Sequence, residues 1–308
     1  MNHKIIIFTF LLSFHLSAEV NKIYTSSGVI AGYSSSNVLN WDDIPYAKPP
    51  IGDLRWKAPI KIDDPDNIII PKDDNFCVQR PSGMGGSDGE GYFSGTEDCL
   101  YLDIKSPKLE TNQSLPVMFW IHGGGNTSGL KDVYDFSKMA NRYNVIIVTI
   151  NYRLGPFGWF THPAIQDLQS GLDKTSNFGT LDIIEALKWV KSNISLFGGD
   201  PNNVTIFGES AGGHNVLSLL ASNQAKGLFH KAITQSGYTT SIDLISAYKP
   251  IHSTPTSNYA SFNIVNKIIK QKSIIKDQEA IDIDDLRQIL LNLSSEEFFS
   301  HYAERPSY

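Results

Sequence analysis

The sequence predicts an α/β fold, with a mostly parallel central sheet covered by helices on both faces. Two observations carry this. Residues 117–121 (VMFWI) and 145–150 (VIIVTI) are short, continuously apolar runs, the second rich in β-branched side chains, as suits strands buried on both sides. Such runs alternate with stretches of helical periodicity, and the order strand, helix, strand, helix, strand is the signature of a covered sheet.

The elements follow in chain order. Met1 to Lys4 holds one positive charge, residues 5–16 are almost wholly apolar, and Ser17-Ala18 offers small residues before Glu19. This pattern predicts a signal peptide over residues 1–18, cleaved on export to a secreted or periplasmic location. A membrane anchor would need about 20 apolar residues, and Ser13 and His15 interrupt this shorter run. In an exported chain the two cysteines, Cys77 and Cys99, are expected to form a disulfide, the alternative being two buried thiols. The segment between them is rich in Gly, Ser and acids, lacks periodicity and reads as a surface loop.

Over residues 180–194, Leu181, Ile184, Leu187, Trp189, Val190 and Ile194 fall largely at three- and four-residue spacing, which predicts an amphipathic helix. It is expected to end near Phe197-Gly198-Gly199, with Asp200-Pro201-Asn202-Asn203 turning into a strand over 204–207. A helix over 214–221 and a strand over 232–234 come next. The tail predicts helices around Phe262, Val265, Ile268 and Ile269 and around Ile283, Leu286, Ile289, Leu290 and Leu293, without further buried strands.

Composition narrows the class. A chain of 308 residues, 41% hydrophobic and 11% aromatic, with net charge −6, can bury a large core. It has no basic run interleaved with aromatics and no metal-ligand cluster, so neither nucleic acid nor a metal is expected as a partner.

The chemistry sits in FGESAGG, residues 207–213. A serine at a tight strand-to-helix turn is forced into strained geometry that brings the residues two before and two after it together, which Gly208 and Gly212 permit. The turn lifts the Ser210 hydroxyl above the carboxyl edge of the sheet, at the positive end of the next helix, where it can attack a carbonyl. The oxyanion so formed needs N–H donors. The Ala211 amide can supply one, and the glycine loop His122-Gly123-Gly124-Gly125, directly after the strand at 117–121, can supply others.

GTEDCLYLDI around Cys99, VMFWIHGGG, INYRLGPFGWF, NFGTLDIIEALKWVKSNISLFGGDPNNVTIFGESAGG and GLFHKAITQSG stand in order between Ile44 and Gly237. Together they make the chain resemble the type-B carboxylesterase and cholinesterase-like family of the α/β-hydrolase fold. The resemblance implies Ser210 as nucleophile, Gly124, Gly125 and Ala211 as oxyanion hole, Gly208 and Gly212 as the elbow glycines, a Cys77–Cys99 disulfide, a small-molecule carboxylic ester as substrate, and no cofactor. It implies that residues 19–308 are an α/β-hydrolase domain incomplete at its carboxyl end.

Departures from the family pattern bear on substrate and activity. The cholinesterase tryptophan that meets the choline cation has no counterpart between Cys77 and Cys99, where Tyr92 and Phe93 are the aromatics, so a choline ester is not expected. Asn126 stands where an aromatic commonly follows the triple glycine, a change on the acyl side. In this fold the acid and histidine follow the serine in chain order, and in the resembled family they lie farther along than Tyr308. Of the later histidines, His214 and His230 read as structural or surface groups, and His252 and His301 fall in the polar tail. The chain is therefore expected to be the amino-terminal part of a serine esterase, inactive or weak alone, with an open sheet edge through which it associates. The alternative is a non-catalytic exported binding module of the same fold, against which the retained serine and elbow glycines speak.

Overall fold

The computed structural model describes residues 21–72, 75–86, 91–108, 113–249, 259–272 and 281–302; the expected signal peptide and His252 lie outside them. The described strands are β1 (Asn21–Thr25), β2 (Gly28–Ser35), β3 (Val38–Pro45), β4 (Ile68–Ile69), β5 (Tyr101–Pro107), β6 (Leu115–Ile121), β7 (Ile146–Ile150), β8 (Gly199–Glu209) and β9 (Lys231–Gln235). They form one sheet in the order β1-β2-β3-β5-β7-β6-β8-β9, with β4 beside β2. The expected parallel character occupies one half of it. β7, β6, β8 and β9 run parallel, while β1, β2, β3, β5 and β7 join antiparallel, so the sheet is mixed.

Helices α1 (Ser137–Tyr143), α4 (Phe178–Asn193) and α5 (Ala211–Ala221) cover the sheet, and α2 (Gly155–Gly158) and α3 (Pro163–Gln166) lie between β7 and α4 in the chain. Side-chain alternation along the strands assigns the faces. Val117, Phe119 and Ile121 of β6 and Ile146, Val148 and Ile150 of β7 join Leu181, Ile184 and Leu187 of α4 and Val216 and Leu219 of α5 in the main core. Met118 and Ile147, one residue out of phase, pack with Ala140 and Met139 of α1 on the other face. Both faces being dry explains why these strands read as continuous apolar runs.

A second core holds the tail helices, α7 (Ser261–Gln271), α8 (Ile283–Leu291) and α9 (Ser295–Ser300), with α6 (Leu244–Tyr248) preceding them. Trp56 stacks on Phe160 with centroids 4.6 Å apart and meets Phe298 of α9 edge-on at 5.0 Å. Buried Arg55 binds both Glu97 carboxylate oxygens and donates to the carbonyls of Leu290 and Leu293, tying α8 to the segment around the disulfide. Cys77 and Cys99 are bonded, as expected.

Two local expectations are corrected. Residues 200–203 do not precede the strand but interrupt it: β6 pairs Leu115 with Gly199 and then Val117 with Val204, so four residues of β8 bulge outward between the two contacts. The disulfide loop is not wholly superficial either, because Val78 and Gln79 are buried. Among the described residues no helix is long and apolar enough to cross a membrane.

Candidate functional site

Register builds the site. In the β6–β8 ladder Ile121 pairs with Gly208, so the two strands end at the same height on adjacent tracks. The chain leaves β6 towards β7 on one side and later returns as β8 on the other. That divergence opens the crevice where open α/β sheets bind ligands, at the carboxyl ends of the strands. The glycine loop beginning at His122 and the turn at Ser210 therefore emerge face to face.

Ser210 occupies φ 57° and ψ −118°, a conformation a side chain tolerates only when its surroundings impose it. Its N–H donates to the Gln235 carbonyl of β9, and its carbonyl accepts from the His214 N–H, 2.9 and 3.0 Å. The bend is thus clamped from strand and helix. A Cβ on Gly208 would lie 2.5 Å from the Gly212 carbonyl carbon, and one on Gly212 would overlap the Ile121 carbonyl oxygen. The two elbow glycines touch each other and the end of β6.

Gly123 closes the approach from the other side. A Cβ there would stand 3.4 Å from the Ser210 Cβ and 2.8 Å from the Glu209 carbonyl oxygen. Beyond it Gly124 and Gly125 have φ 91° and 65°, left-handed values that curl the loop. The Gly124 carbonyl accepts from the Thr127 and Ser128 amides, both at 3.0 Å. Ala211, fully buried, opens α5; in any helix the first amides lack an intrahelical acceptor, and here they face the turn at the positive end of the helix.

The loop is held at three points. The Tyr152 hydroxyl donates to the His122 carbonyl at 2.7 Å. Gln79, from the disulfide segment, exchanges two hydrogen bonds with Gly129, 2.8 and 2.9 Å. Asn126, at φ 57°, bonds the Asn215 side chain of α5. Sequence reading placed Gly123 in the glycine loop without its close approach to Ser210, and passed over Gln79, Tyr152 and Asn215. The triple glycine was a signal for Gly123; nothing local marks the others, which act across the tertiary fold.

Burial sets the electrostatics. His122, stacked on Tyr152 with centroids 4.4 Å apart, is lowered to about 4 by desolvation, against a smaller upward pull from its bond with the Gly123 carbonyl. It is neutral at pH 7. Burial likewise pushes Tyr152 up, keeping it a neutral donor.

Of the histidines after Ser210, the three described ones are occupied elsewhere. His214 bonds the Tyr238 carbonyl through Nδ1 at 2.6 Å and stacks on that ring, and His230 accepts from the Val204 amide at 3.1 Å. His301 caps the end of α9. Among the described residues no side chain is hydrogen-bonded to the Ser210 hydroxyl, and no group of three or more His, Cys, Asp or Glu is placed to hold a metal ion. Tyr92 and Phe93 turn to α9, where they meet Glu296 and Phe299.

The sequence profile of the carboxylesterase family matches residues 19–299. The para-nitrobenzyl esterase of Bacillus subtilis (strain 168) is 43% identical over 217 residues, which cover 70% of this chain and 43% of that protein. The juvenile hormone esterase of Tribolium castaneum is 43% identical over 223 residues, 70% of this chain and 36% of that one. A solved para-nitrobenzyl (PNB) esterase superposes with a TM-score of 0.74 at 35% identity, over 92% of this chain and 54% of the other. The carboxylesterase EST55 of Geobacillus stearothermophilus superposes with 0.68 at 32% identity, over 91% and 53%. The chain thus spans about half the length of the solved structures it matches. A family profile spanning nearly all of these residues, and a mixed sheet superposing on solved esterases, settle kinship: this chain belongs to the carboxylesterase family and has the α/β-hydrolase fold.

Proposed function

We propose that the chain carries the nucleophile and oxyanion hole of an exported serine hydrolase acting on small carboxylic esters. Ser210 Oγ adds to the ester carbonyl as its proton passes to a base, and the amides of Gly124, Gly125 and Ala211 receive the resulting oxyanion. Collapse expels the alcohol and leaves an acyl group on Ser210, which water then removes. The observation that carries the reading is the Ile121–Gly208 pairing, which sets the strained serine beside the glycine loop. No cofactor is required, since the covalent serine ester divides the reaction into two acyl transfers.

The histidine base and its acid are proposed to lie outside the described residues, because no described histidine side chain is hydrogen-bonded to the Ser210 hydroxyl and the chain covers about half of the solved relatives. Export is supported by the Cys77–Cys99 disulfide, which suits an oxidising compartment. Association is proposed through β9, whose five residues are all exposed at the outer edge of the described sheet.

A fluorophosphonate probe tests the reading. The protein, expressed from its full gene, should be labelled and should hydrolyse p-nitrophenyl butyrate, and Ser210→Ala should lose both. Labelling that survives Ser210→Ala, or a folded protein inert to both reagents, would return the chain to the class of binding modules.

A further inference from the structure

The glycine loop meets the nucleophile helix through a pair of asparagines. Asn215 lies on α5 one turn beyond Ala211, so it shares the face of the helix that carries the Ala211 amide. Its side chain is 1% exposed, and a buried amide requires partners. The Asn215 Nδ2 donates to Asn126 Oδ1 at 2.9 Å, and Asn126 Nδ2 lies 3.4 Å from Asn215 Oδ1 as its donor. Tyr152 Oη, while donating to the His122 carbonyl, stands 3.2 Å from the same Asn126 Oδ1. The Asn126 carbonyl accepts from the Gly155 amide at 2.7 Å.

Asn126 is thus bound on three sides immediately after Gly124 and Gly125. Two roles can be separated. Its φ of 57° favours asparagine or glycine, so it could serve the backbone alone. The side-chain bonds add something the backbone does not need: a direct link from the loop to the helix that begins at the nucleophile. Gly124 and Gly125 have no side chains to hold their peptide planes, and their left-handed backbone is open to many conformations. An amide donor helps an oxyanion only if it is fixed before the charge appears.

We infer that Asn126 is a positioning residue, whose side-chain link to Asn215 fixes the oxyanion loop against the nucleophile helix. This rests on the hydrolase reading above. The test uses the full protein with Asn126→Gly, which keeps the left-handed backbone and removes the link, Asn215→Ala, which breaks the link from the other side, and the double substitution. Each single change should lower kcat for p-nitrophenyl butyrate about 10- to 100-fold, as small misplacements of donors do, with KM moving less than about threefold. Fluorophosphonate labelling of Ser210 should slow in parallel. Because both changes cut one link, the double variant should be no slower than the worse single.

Amide hydrogen exchange over residues 123–129 gives a readout free of turnover and should rise in all three variants. Asn126→Gly with unchanged kcat and unchanged exchange would overturn the inference, as would losses that simply multiply. If the unsubstituted protein fails to label at Ser210, the hydrolase reading falls on its own, and the exchange comparison still decides whether the link holds the loop.

Discussion

Gly212→Ala is the most direct probe of the elbow. The added methyl would overlap the Ile121 carbonyl oxygen and stand 2.8 Å from the His122 carbonyl oxygen. Ordinary carbon to carbonyl-oxygen contacts run about 3.3–3.6 Å, so relief requires α5 and the end of β6 to separate by more than about 1 Å. Both obstacles are backbone, one in the centre of the sheet, so no rotamer change absorbs the clash. Overpacking of this kind costs about 1–3 kcal/mol, and with rigid neighbours the upper end is expected, a fall in Tm of about 6–12 °C. The same displacement moves Ser210 relative to Gly123, and about 1 Å at a reacting centre is worth about 100-fold in rate. Thermal melting and the rate of fluorophosphonate labelling should therefore both drop. Gly83→Ala, where an added Cβ meets nothing within 4 Å, should change neither. If Gly212→Ala melts and labels like the unsubstituted protein, the elbow is not packed closely on β6 and does not depend on that contact for its bend.

Ser210→Gly should abolish labelling yet raise stability by about 1 kcal/mol, because glycine relieves the positive φ; denaturant melts of the two proteins measure it. Replacing Cys77 and Cys99 together by alanine should lower stability by about 3 kcal/mol, through release of a 22-residue closure, read as a shift of the denaturation midpoint. His122 supplies a pH signature. Its folded pKa, about 4, lies below the ordinary histidine value, so between pH 4 and about 6.5 the unfolded chain binds more protons. Stability from this group is complete above about pH 6.5 and falls as the pH drops towards 4, by about 3 kcal/mol in all. Denaturation at pH 4.5 and pH 7 should show a larger difference for the native protein than for His122→Gln, and equal differences would refute it.

Much of the site was legible locally. The doubly buried strands β6 and β7 are marked by continuous apolar runs, α4 by its period, and the elbow by a serine between glycines that no ordinary turn requires. The strands β1 and β2 escaped because a sheet half with one wet face alternates polar and apolar residues instead of running apolar throughout, as β2 does, and β3 escaped because its buried positions include Asn40 and Asp43. The disulfide segment looked superficial for want of periodicity, yet buries Gln79 against Gly129.

What the sequence determined by itself was the inventory: a nucleophile held in a bend, amides without side chains in their way, and the layered fold that carries them, all written in short-range pattern. Only the tertiary structure decided that these parts meet. The pairing of Ile121 with Gly208, the reach of Asn126 to Asn215 and the hold of Tyr152 on His122 join residues 30 to 89 positions apart. Such contacts depend on strand order and register, which chain-local propensities do not encode and which the burial of a common core selects.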